Sequence, residues 1–286
     1  VQGLIDDLEG QLSVTDPDSQ IYAVNARGSG TLTGRADTLM GQALDLCRRT
    51  GGGLDLSIYP VVRAWGFTTG DYQVPSDDDL ATLTALVDYT RIDYDPASGA
   101  VSLPEGMEID LGSVAKGYAG REAAQLLRQA GVSSALLNLG GNIQTVGSRP
   151  DGDPWQIGVK DPSTGQPMMV LSIRDQAVVT SGGYERYFQQ DGRTYWHIMD
   201  PATGRPAESG LRSVTIVGDD GLVCDGLSTA LFVMGLERAA QFWAGSDDFE
   251  AIFVTDDGSV YLTQGLTDRF ALTQDHADTP VQVIQR

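Results

Sequence analysis

The chain has 286 residues, of which 41% are apolar and 35 are glycine, enough to bury a sizeable core as one large domain or two closely joined lobes. Its 19 basic and 39 acidic residues give a formal net charge of −20, which argues against nucleic acid as a partner because no basic surface could neutralise phosphates. No stretch is apolar for long enough to span a bilayer.

The first third of the chain contains three predicted helices and a hairpin. Residues 3–12 have the apolar periodicity of an amphipathic helix, and residues 37–50 predict a second helix with an apolar inward face. Residues 76–89 predict a third helix, and Asp77, Asp78 and Asp79 are interpreted as charges at the positive end of its dipole rather than as metal ligands. Residues 92–109 predict a hairpin.

The stretch DLGSVAKGYAGREAAQLLRQAGVSSALLNLGGN, residues 110–142, predicts a helix followed by a strand. Ser113 is expected to cap the helix and Gly131 to close it. Residues 135–139 predict a buried strand that ends in Gly-Gly.

The start of that predicted helix favours an anion. Free N–H groups and the dipole are positive there, and Lys116 adds a full charge. Gly112 and Gly117 allow a ligand or a second backbone to come close. A tightly packed helix start with a solvated lysine is the alternative interpretation.

The remaining elements alternate between strands and helices. The thiols Cys47 and Cys224 stand in apolar helical patterns, so buried free thiols are expected rather than a disulfide. His276 lies in the polar tail, residues 267–286, which carries no informative pattern, and we expect it to be exposed. Strands are predicted at 143–146, 155–160, 168–173, 177–180, 212–218, 251–255 and 260–263, and helices at 223–235 and 237–244.

Two pairs of polar residues suggest chemistry. Asp225 and Thr229 lie four apart and share one helix face, and their oxygen atoms suit Mg²⁺; a helix cap and a back-bonding threonine are the alternative. His197, one of two histidines, is either a structural residue or a general base near neutral pH. Asp200, three residues later, either orients that histidine or caps a turn.

Five motifs together resemble the ApbE family, the FAD:protein FMN transferases. The resemblance runs from about Ser19 to about Thr263. Gln20, Leu54 and Ser57 stand where the family usually has Glu, Phe and Thr. The motifs are SQIYAVN, GGGLDLSIYPVVRAWGF, DLGSVAKGYA with LLNLGGN, TSGGYER, and HIMDPATGRP.

The resemblance implies an α+β fold of two intimately joined subdomains with a flavin cleft between them, forming one domain over residues 1–286. The chain opens on Val1 without a signal-peptide pattern or the family's usual opening strand, so we expect a mature or trimmed form. A location in the cell envelope, outside the cytoplasmic membrane and often through a lipid anchor, is typical of the family.

The activity implied is Mg²⁺-dependent transfer of FMN from FAD to a Thr or Ser hydroxyl of an acceptor protein, through a phosphoester bond and with release of AMP. The acceptor would carry a motif similar to S-G-A-T. Two alternatives stay open: a Mg²⁺-dependent FAD pyrophosphatase that forms FMN and AMP, and a flavin-binding carrier without turnover.

The resemblance also assigns roles to individual residues. It implies catalytic roles for His197, Lys116 and Asp200, and a metal site made by Asp225, Thr229 and the backbone carbonyl of Ala115. The residues implied in binding the flavin nucleotide are Asn25, Ser113, Lys116, Gly117, Tyr118, Gly140, Gly141, Thr180, Ser181 and Gly182.

One stretch of the chain itself is similar to the acceptor motif. Ser98-Gly99-Ala100-Val101 has valine where the motif requires threonine, and valine has no oxygen to attack phosphorus. Ser102 comes one residue late, on the opposite face of a strand. We therefore predict that the chain does not flavinylate itself.

Overall fold

The computed structural model describes residues 1–286 as an α+β fold with eight α-helices and fifteen strands. The helices are α1 (Gln2–Leu12), α2 (Gln20–Arg27), α3 (Gly34–Arg49), α4 (Tyr59–Ala64), α5 (Asp77–Thr84), α6 (Gly112–Gln129), α7 (Gly221–Met234) and α8 (Leu236–Ala244). The strands are β1 (Ser29–Thr31), β2 (Asp93–Asp95), β3 (Ala100–Ser102), β4 (Ser134–Leu139), β5 (Asn142–Gly147), β6 (Trp155–Lys160), β7 (Pro167–Ile173), β8 (Ala177–Gly182), β9 (Tyr187–Gln190), β10 (Arg193–Trp196), β11 (Leu211–Gly218), β12 (Phe249–Thr255), β13 (Val260–Thr263), β14 (Phe270–Leu272) and β15 (Val281–Ile284).

The chain divides into two compact units. Unit 1 comprises residues 1–115 and 186–207, and unit 2 comprises residues 116–185 and 208–286. The chain first passes from unit 1 to unit 2 within α6, between Ala115 and Lys116.

Unit 1 is mainly helical, with a three-stranded antiparallel sheet in the order β1-β3-β2 and a separate β9–β10 hairpin. One of its cores forms around Trp65, which is fully buried and donates its indole N–H to the Gly204 carbonyl at 2.8 Å. A buried tryptophan contributes a large apolar area, and its N–H needs such a partner. Val61, Phe67 and Leu80 pack in the same cluster.

The predicted helices and the hairpin of unit 1 are present, with one helix shorter than expected. α5 begins with a capping box between Ser76 and Asp79 but ends at Thr84, not at residue 89. The backbone N–H groups of Asp88 and Tyr89 bond instead to side-chain oxygens of Ser57 and Asp55, at 2.8 and 3.0 Å. These tertiary bonds compete with continuation of the helix.

Unit 2 contains a seven-stranded sheet in the order β15-β13-β12-β11-β8-β5-β4 and a three-stranded sheet in the order β14-β7-β6. All its pairs are antiparallel except β13–β15. α7 packs on β8 and β11. Apolar residues of both sheets form one core, in which the buried members include Ile157, Met169, Leu171, Val178, Val217, Ile252, Val254 and Leu262.

Two expectations about unit 2 are wrong. Residues 135–139 form a strand, but β4 is the edge strand of the sheet, and Leu136 is 38% exposed rather than buried. An edge strand has a neighbour on one side only, so less of its surface is covered. The stretch after residue 267 adds β14 and β15 to the two sheets, and His276 is partly buried beside Asp161.

The cap predicted for the central helix is also wrong. α6 begins at Gly112, whose N–H bonds to Asp110 Oδ1 at 2.8 Å, so Asp110 supplies the acceptor and Ser113 lies inside the first turn. Gly131 closes the helix as expected, with a φ of 81°. Leu126 and Ala130 are exposed, and the buried side of the helix is formed by Val114, Tyr118, Ala119, Ala123 and Ala124.

Both cysteines are buried free thiols, as predicted. Burial raises the pKa of Cys47 to about 12 and the pKa of Cys224 well above its usual range. None of the helices combines the length and the apolar character that a membrane-spanning helix needs.

Candidate functional site

Within unit 2, α6 and α7 cross at Gly117 in direct backbone contact. A Cβ atom on Gly117 would lie 2.1 Å from the Gly221 carbonyl oxygen and 2.6 Å from the Asp225 Cβ, so no larger residue fits. The Gly117 N–H bonds to Asp225 Oδ2 at 2.7 Å. Gly117 is the sixth residue of α6, so this bond joins the second turn of that helix to the Asp225 side chain on α7.

Asp225 is 5% exposed. Burial raises its pKa to about 6, while the Lys116 ammonium, the Asn142 amide and the Gly117 N–H all act in the opposite direction. Asn142 lies close enough to affect this pKa, although its Nδ2 has no partner at hydrogen-bonding geometry. A buried carboxylate beside an ammonium and a helix start is a strongly polarised group, which is a common feature of functional sites.

Hydroxyl groups lie on the same face of α7. Ser181, near the end of β8, is 2.7 Å from the Ser228 hydroxyl and 3.3 Å from the Thr229 hydroxyl. Thr180 precedes Ser181 in β8, so its side chain lies on the opposite face of the sheet, where it bonds to Thr215 at 2.8 Å. Thr229, one helical turn after Asp225, is therefore part of an oxygen-rich surface, as the spacing of the two residues predicts.

The donor set fits a hard cation. Asp225 offers a carboxylate, and Thr229 and Ser181 offer hydroxyls, all of them oxygen ligands of the kind that Mg²⁺ prefers. Nowhere in residues 1–286 do three or more His, Cys, Asp or Glu side chains come together as a metal site. The Ala115 carbonyl stays a predicted ligand on the family resemblance alone.

The glycines predicted to contact the flavin nucleotide have local structural roles. Gly182 ends β8, and a Cβ there would lie 2.4 Å from the Tyr184 ring, so the close approach of that ring requires glycine. Gly140 and Gly141, with φ of 61° and 98°, form the β4–β5 turn, and Asn138 Oδ1 accepts the Gly141 N–H at 2.9 Å. Their contact with a ligand stays a prediction.

Two other residues predicted to bind the flavin nucleotide, Asn25 and Tyr118, form contacts at or just before α6. In unit 1, the Asn25 side chain forms two 2.8 Å bonds to the N–H and carbonyl of Ile109, fixing the backbone before the helix. In unit 2, Tyr118 is 2% exposed, and the Arg121 guanidinium lies 5.0 Å from its ring centroid. Both residues position the helix in the structure, and direct contact with a flavin remains a prediction.

His197 follows the β9–β10 hairpin in unit 1. The Arg186 carbonyl accepts its backbone N–H at 3.1 Å and lies 3.2 Å from its Nδ1. The Phe67 ring is 6.3 Å from the imidazole ring, centroid to centroid. Both neighbours constrain the orientation of the ring.

Asp200 caps a turn. Its Oδ1 accepts the Ala202 N–H at 2.9 Å, and its carbonyl accepts the N–H groups of Thr203 and Gly204. Of the two roles open from the sequence, the structure provides the turn cap. A catalytic role of Asp200 stays a prediction.

Sequence reasoning overlooked Arg186 and Phe67. Both stand in motifs that carry the family resemblance, TSGGYER and WGF, and both contact His197 in the structure. Their presence in family motifs could have marked both residues as candidates. Their contact could not be predicted, because Phe67 and Arg186 are about 120 residues apart in the sequence. Their hydrogen bond joins the Arg186 guanidinium to the Phe67 carbonyl.

Comparisons with known proteins agree with the family resemblance of the sequence motifs. The sequence profile of the ApbE family matches residues 1–253. An FAD:protein FMN transferase of Klebsiella pneumoniae is 35% identical over 94% of this chain and 85% of its own length. One of Treponema pallidum is 34% identical over 93% of this chain and 79% of its own length.

Solved structures show the same fold. The ApbE protein from Thermotoga maritima has a TM-score of 0.87 at 30% identity and covers 92% of this chain and 88% of its own. The flavin transferase ApbE from Vibrio cholerae has a TM-score of 0.83 at 28% identity, covering 94% and 88% respectively.

Proposed function

Because the chain belongs to the ApbE family, we propose that it is an FAD:protein FMN transferase. In this reaction the FMN moiety of FAD moves to a Thr or Ser hydroxyl of a separate acceptor protein, and AMP leaves. The observation that carries the proposal is the contact of Asp225 with Gly117 in the second turn of α6, beside Lys116 and one helical turn before Thr229.

That contact supports binding of a pyrophosphate. The N–H groups and dipole at the start of α6 favour an anion, and the Lys116 ammonium adds a positive charge in a chain of net charge −20. Such donors stabilise the charge that develops on phosphate oxygens in the transition state.

The residues present fit Mg²⁺. Asp225 and Thr229 would hold it, with the Ala115 carbonyl as the ligand that the family resemblance adds. When bound, Mg²⁺ would supply a Lewis acid that polarises phosphoryl oxygens and offsets negative charge at the site.

His197 acts as the general base in this proposal. The acceptor hydroxyl oxygen forms a bond to the FMN-side phosphorus, its proton passes to the imidazole, and the bond from that phosphorus to the bridging oxygen breaks. AMP leaves with the bridging oxygen, and FMN remains joined to the acceptor through a phosphoester. Lys116 would neutralise charge on the transferred group.

The test uses the purified chain with FAD, Mg²⁺ and an acceptor protein that carries an S-G-A-T-like motif. We expect AMP release and an increase in acceptor mass equal to one FMN group, both abolished by EDTA. AMP and free FMN without acceptor modification would instead identify a pyrophosphatase. Binding of FAD without AMP release would identify a carrier.

The family resemblance also supports a location at the cell envelope, which fractionation of cells that produce the protein would test. Recovery of the protein with cytosolic enzymes, and of its acceptor elsewhere, would contradict this part of the proposal.

A further inference from the structure

Arg186 directly precedes β9 and His197 directly follows β10, so the two residues are adjacent at the open end of the hairpin. The carbonyl oxygen of Arg186 contacts His197 twice. The Arg186 carbonyl accepts the His197 backbone N–H at 3.1 Å and lies 3.2 Å from Nδ1. A carbonyl oxygen can only accept a hydrogen bond, so the favourable arrangement places the imidazole proton on Nδ1. A neutral imidazole protonated on Nδ1 carries its lone pair on Nε2.

The position of that carbonyl is held by the side chain of the same residue. The Arg186 guanidinium donates to the Phe67 carbonyl, and its charge lowers the pKa of Asp110, which burial raises. The Asp110 carboxylate in turn accepts the Gly112 N–H at 2.8 Å. The hydrogen bond to Phe67 therefore holds Arg186 beside the Phe67 segment of unit 1, and its charge acts on the nearby Asp110 carboxylate.

Stacked aromatic rings stabilise the β9–β10 hairpin, which lies between Arg186 and His197 in the sequence. Phe188 on β9 stacks on Tyr72 and on Tyr195 of β10, with ring centroids 5.0 and 5.2 Å apart and interplanar angles of 12° and 22°. Tyr195 also lies 5.2 Å from Trp65, which is fully buried. Such pairs add about 0.5–1.5 kcal/mol each beyond burial, so the hairpin is a firm support.

We propose that Arg186 is a positioning residue, which holds His197 in the tautomer with its proton on Nδ1 and so makes Nε2 the atom that accepts the proton of the acceptor hydroxyl. This inference rests on the proposed function, in which His197 is the general base. Nε2 of His197 is then the reacting atom, and the Arg186 carbonyl is the group that selects the tautomer. Arg186, which has no role predicted from the sequence, thereby belongs to the site. Arg186 acts through His197 and needs no contact with either substrate.

The tautomer can be read directly by nitrogen NMR. The chain has two histidines, so a His276→Gln variant labelled with ¹⁵N-histidine gives the ring signals of His197 alone. Long-range ¹H–¹⁵N spectra recorded from about pH 5 to about pH 9 distinguish a protonated ring nitrogen from one with a lone pair. We expect the neutral ring to carry its proton on Nδ1. A neutral ring protonated on Nε2 would overturn the proposal, whatever the activity of the enzyme.

Substitutions then test the role of the arginine. Arg186→Ala in the same labelled background should give a mixture of the two tautomers. The kcat of transfer should fall on the order of a hundredfold, as for a reacting group displaced by about 1 Å, with little change in KM for FAD. Arg186→Lys keeps one donor for the Phe67 carbonyl and should recover part of both the tautomer preference and kcat.

Arg193→Ala is the matched control, because Arg193 lies in the same hairpin with its guanidinium 5.5 Å from the Tyr195 ring centroid. This variant should keep the Nδ1 tautomer and most of the activity.

An unchanged tautomer in folded Arg186→Ala would contradict the positioning role. Normal transfer by His197→Ala would contradict the proposed base while leaving the NMR result intact, so the two failures are distinguishable.

Discussion

The Gly117 N–H bonds to the Asp225 carboxylate at 2.7 Å, which ties the start of α6 to α7 within unit 2. The glycine is required by space, since an added Cβ would overlap the Gly221 carbonyl. The same contact brings a buried carboxylate to the second turn of α6, close enough to Lys116 for its ammonium to lower the carboxylate pKa. Packing and the proposed chemistry therefore depend on one close approach of two helices.

Replacing that glycine should separate the helices. Gly117→Ala should lower the free energy of unfolding by about 1–3 kcal/mol through overpacking, and should reduce AMP release because Asp225 moves. Gly120→Ala is the matched control on the same helix, where an added Cβ would meet Gln144 at 3.4 Å and Leu139 at 3.8 Å, both ordinary contacts. Denaturant unfolding followed by circular dichroism measures both variants. Equal effects at the two positions would contradict the packing argument.

Two substitutions at Asp225 separate its charge from its hydrogen bond. Asp225→Asn keeps an acceptor for the Gly117 N–H and removes the charge, so stability should hold while Mg²⁺-dependent AMP release falls at least about a hundredfold. Asp225→Ala also removes that buried hydrogen bond and should cost a further amount of about 1–3 kcal/mol. Isothermal titration with Mg²⁺ and an AMP assay provide the readouts. Full activity of folded Asp225→Asn would rule out the carboxylate as a metal ligand.

Removing the imidazole should affect the reaction more than the binding of FAD. His197→Ala is expected to reduce transfer on the order of a hundred- to ten-thousandfold, because a base acts in the transition state. FAD affinity, measured by quenching of flavin fluorescence, should change little. Weak FAD binding with normal transfer at saturating FAD would make His197 a binding residue instead.

Asp161 should stabilise unit 2 in a pH-dependent way. Asp161 Oδ2 lies 3.4 Å from His276 Nε2, and the carboxylate also accepts bonds from Ser163 and Thr164. Desolvation opposes these bonds, but together they lower the pKa of Asp161. A lowered pKa contributes stability that is present above the unfolded value of about 3.9 and is lost as the pH falls through the folded value.

Asp161→Asn should therefore lose stability at pH 7, by about 1 kcal/mol, and this loss should shrink as the pH falls below the unfolded value of about 3.9. Thermal unfolding of the two proteins over a series of pH values from neutral to acidic measures this difference. Asp151→Asn is the control, a carboxylate in an exposed ion pair with Arg149 in the same unit. An equal loss for both variants at pH 7 would contradict the stabilising role of Asp161.

Apolar periodicity in the sequence was sufficient for several of the long helices. The apolar spacing of residues 37–50 predicts α3, and five of its inward residues, Leu39, Met40, Ala43, Leu44 and Cys47, are all buried. The sequence of α6 was less informative about its buried face, because alanine is compatible with both a buried and an exposed position. Leu126 is exposed in the structure. The end of α5 depends on distant side chains, Ser57 and Asp55, which local pattern cannot reveal.

The candidate site was predictable only where residues are close in sequence or share a family motif. Asp225 and Thr229 could be paired because they are one helical turn apart. The partner of His197 could not be found in this way, because the nearby Asp200 caps its own turn and the Arg186 carbonyl, across a hairpin, occupies the Nδ1 side. A backbone acceptor leaves no residue-type signal in a sequence.

The chain should not flavinylate itself, although residues 98–101 are similar to an acceptor motif. In the structure Ser98 donates its hydroxyl to Asp95 Oδ2 at 2.6 Å within the β2–β3 turn, and Val101 is 3% exposed. Incubation of the chain with FAD and Mg²⁺, followed by denaturation and intact mass measurement, should show no added FMN. Val101→Thr completes the S-G-A-T sequence and should also stay unmodified, because its hydroxyl would be buried; a separate acceptor protein with an exposed motif is the positive control. An FMN adduct on the unaltered chain, mapped by peptide mass to Ser102 or any other hydroxyl, would overturn the prediction.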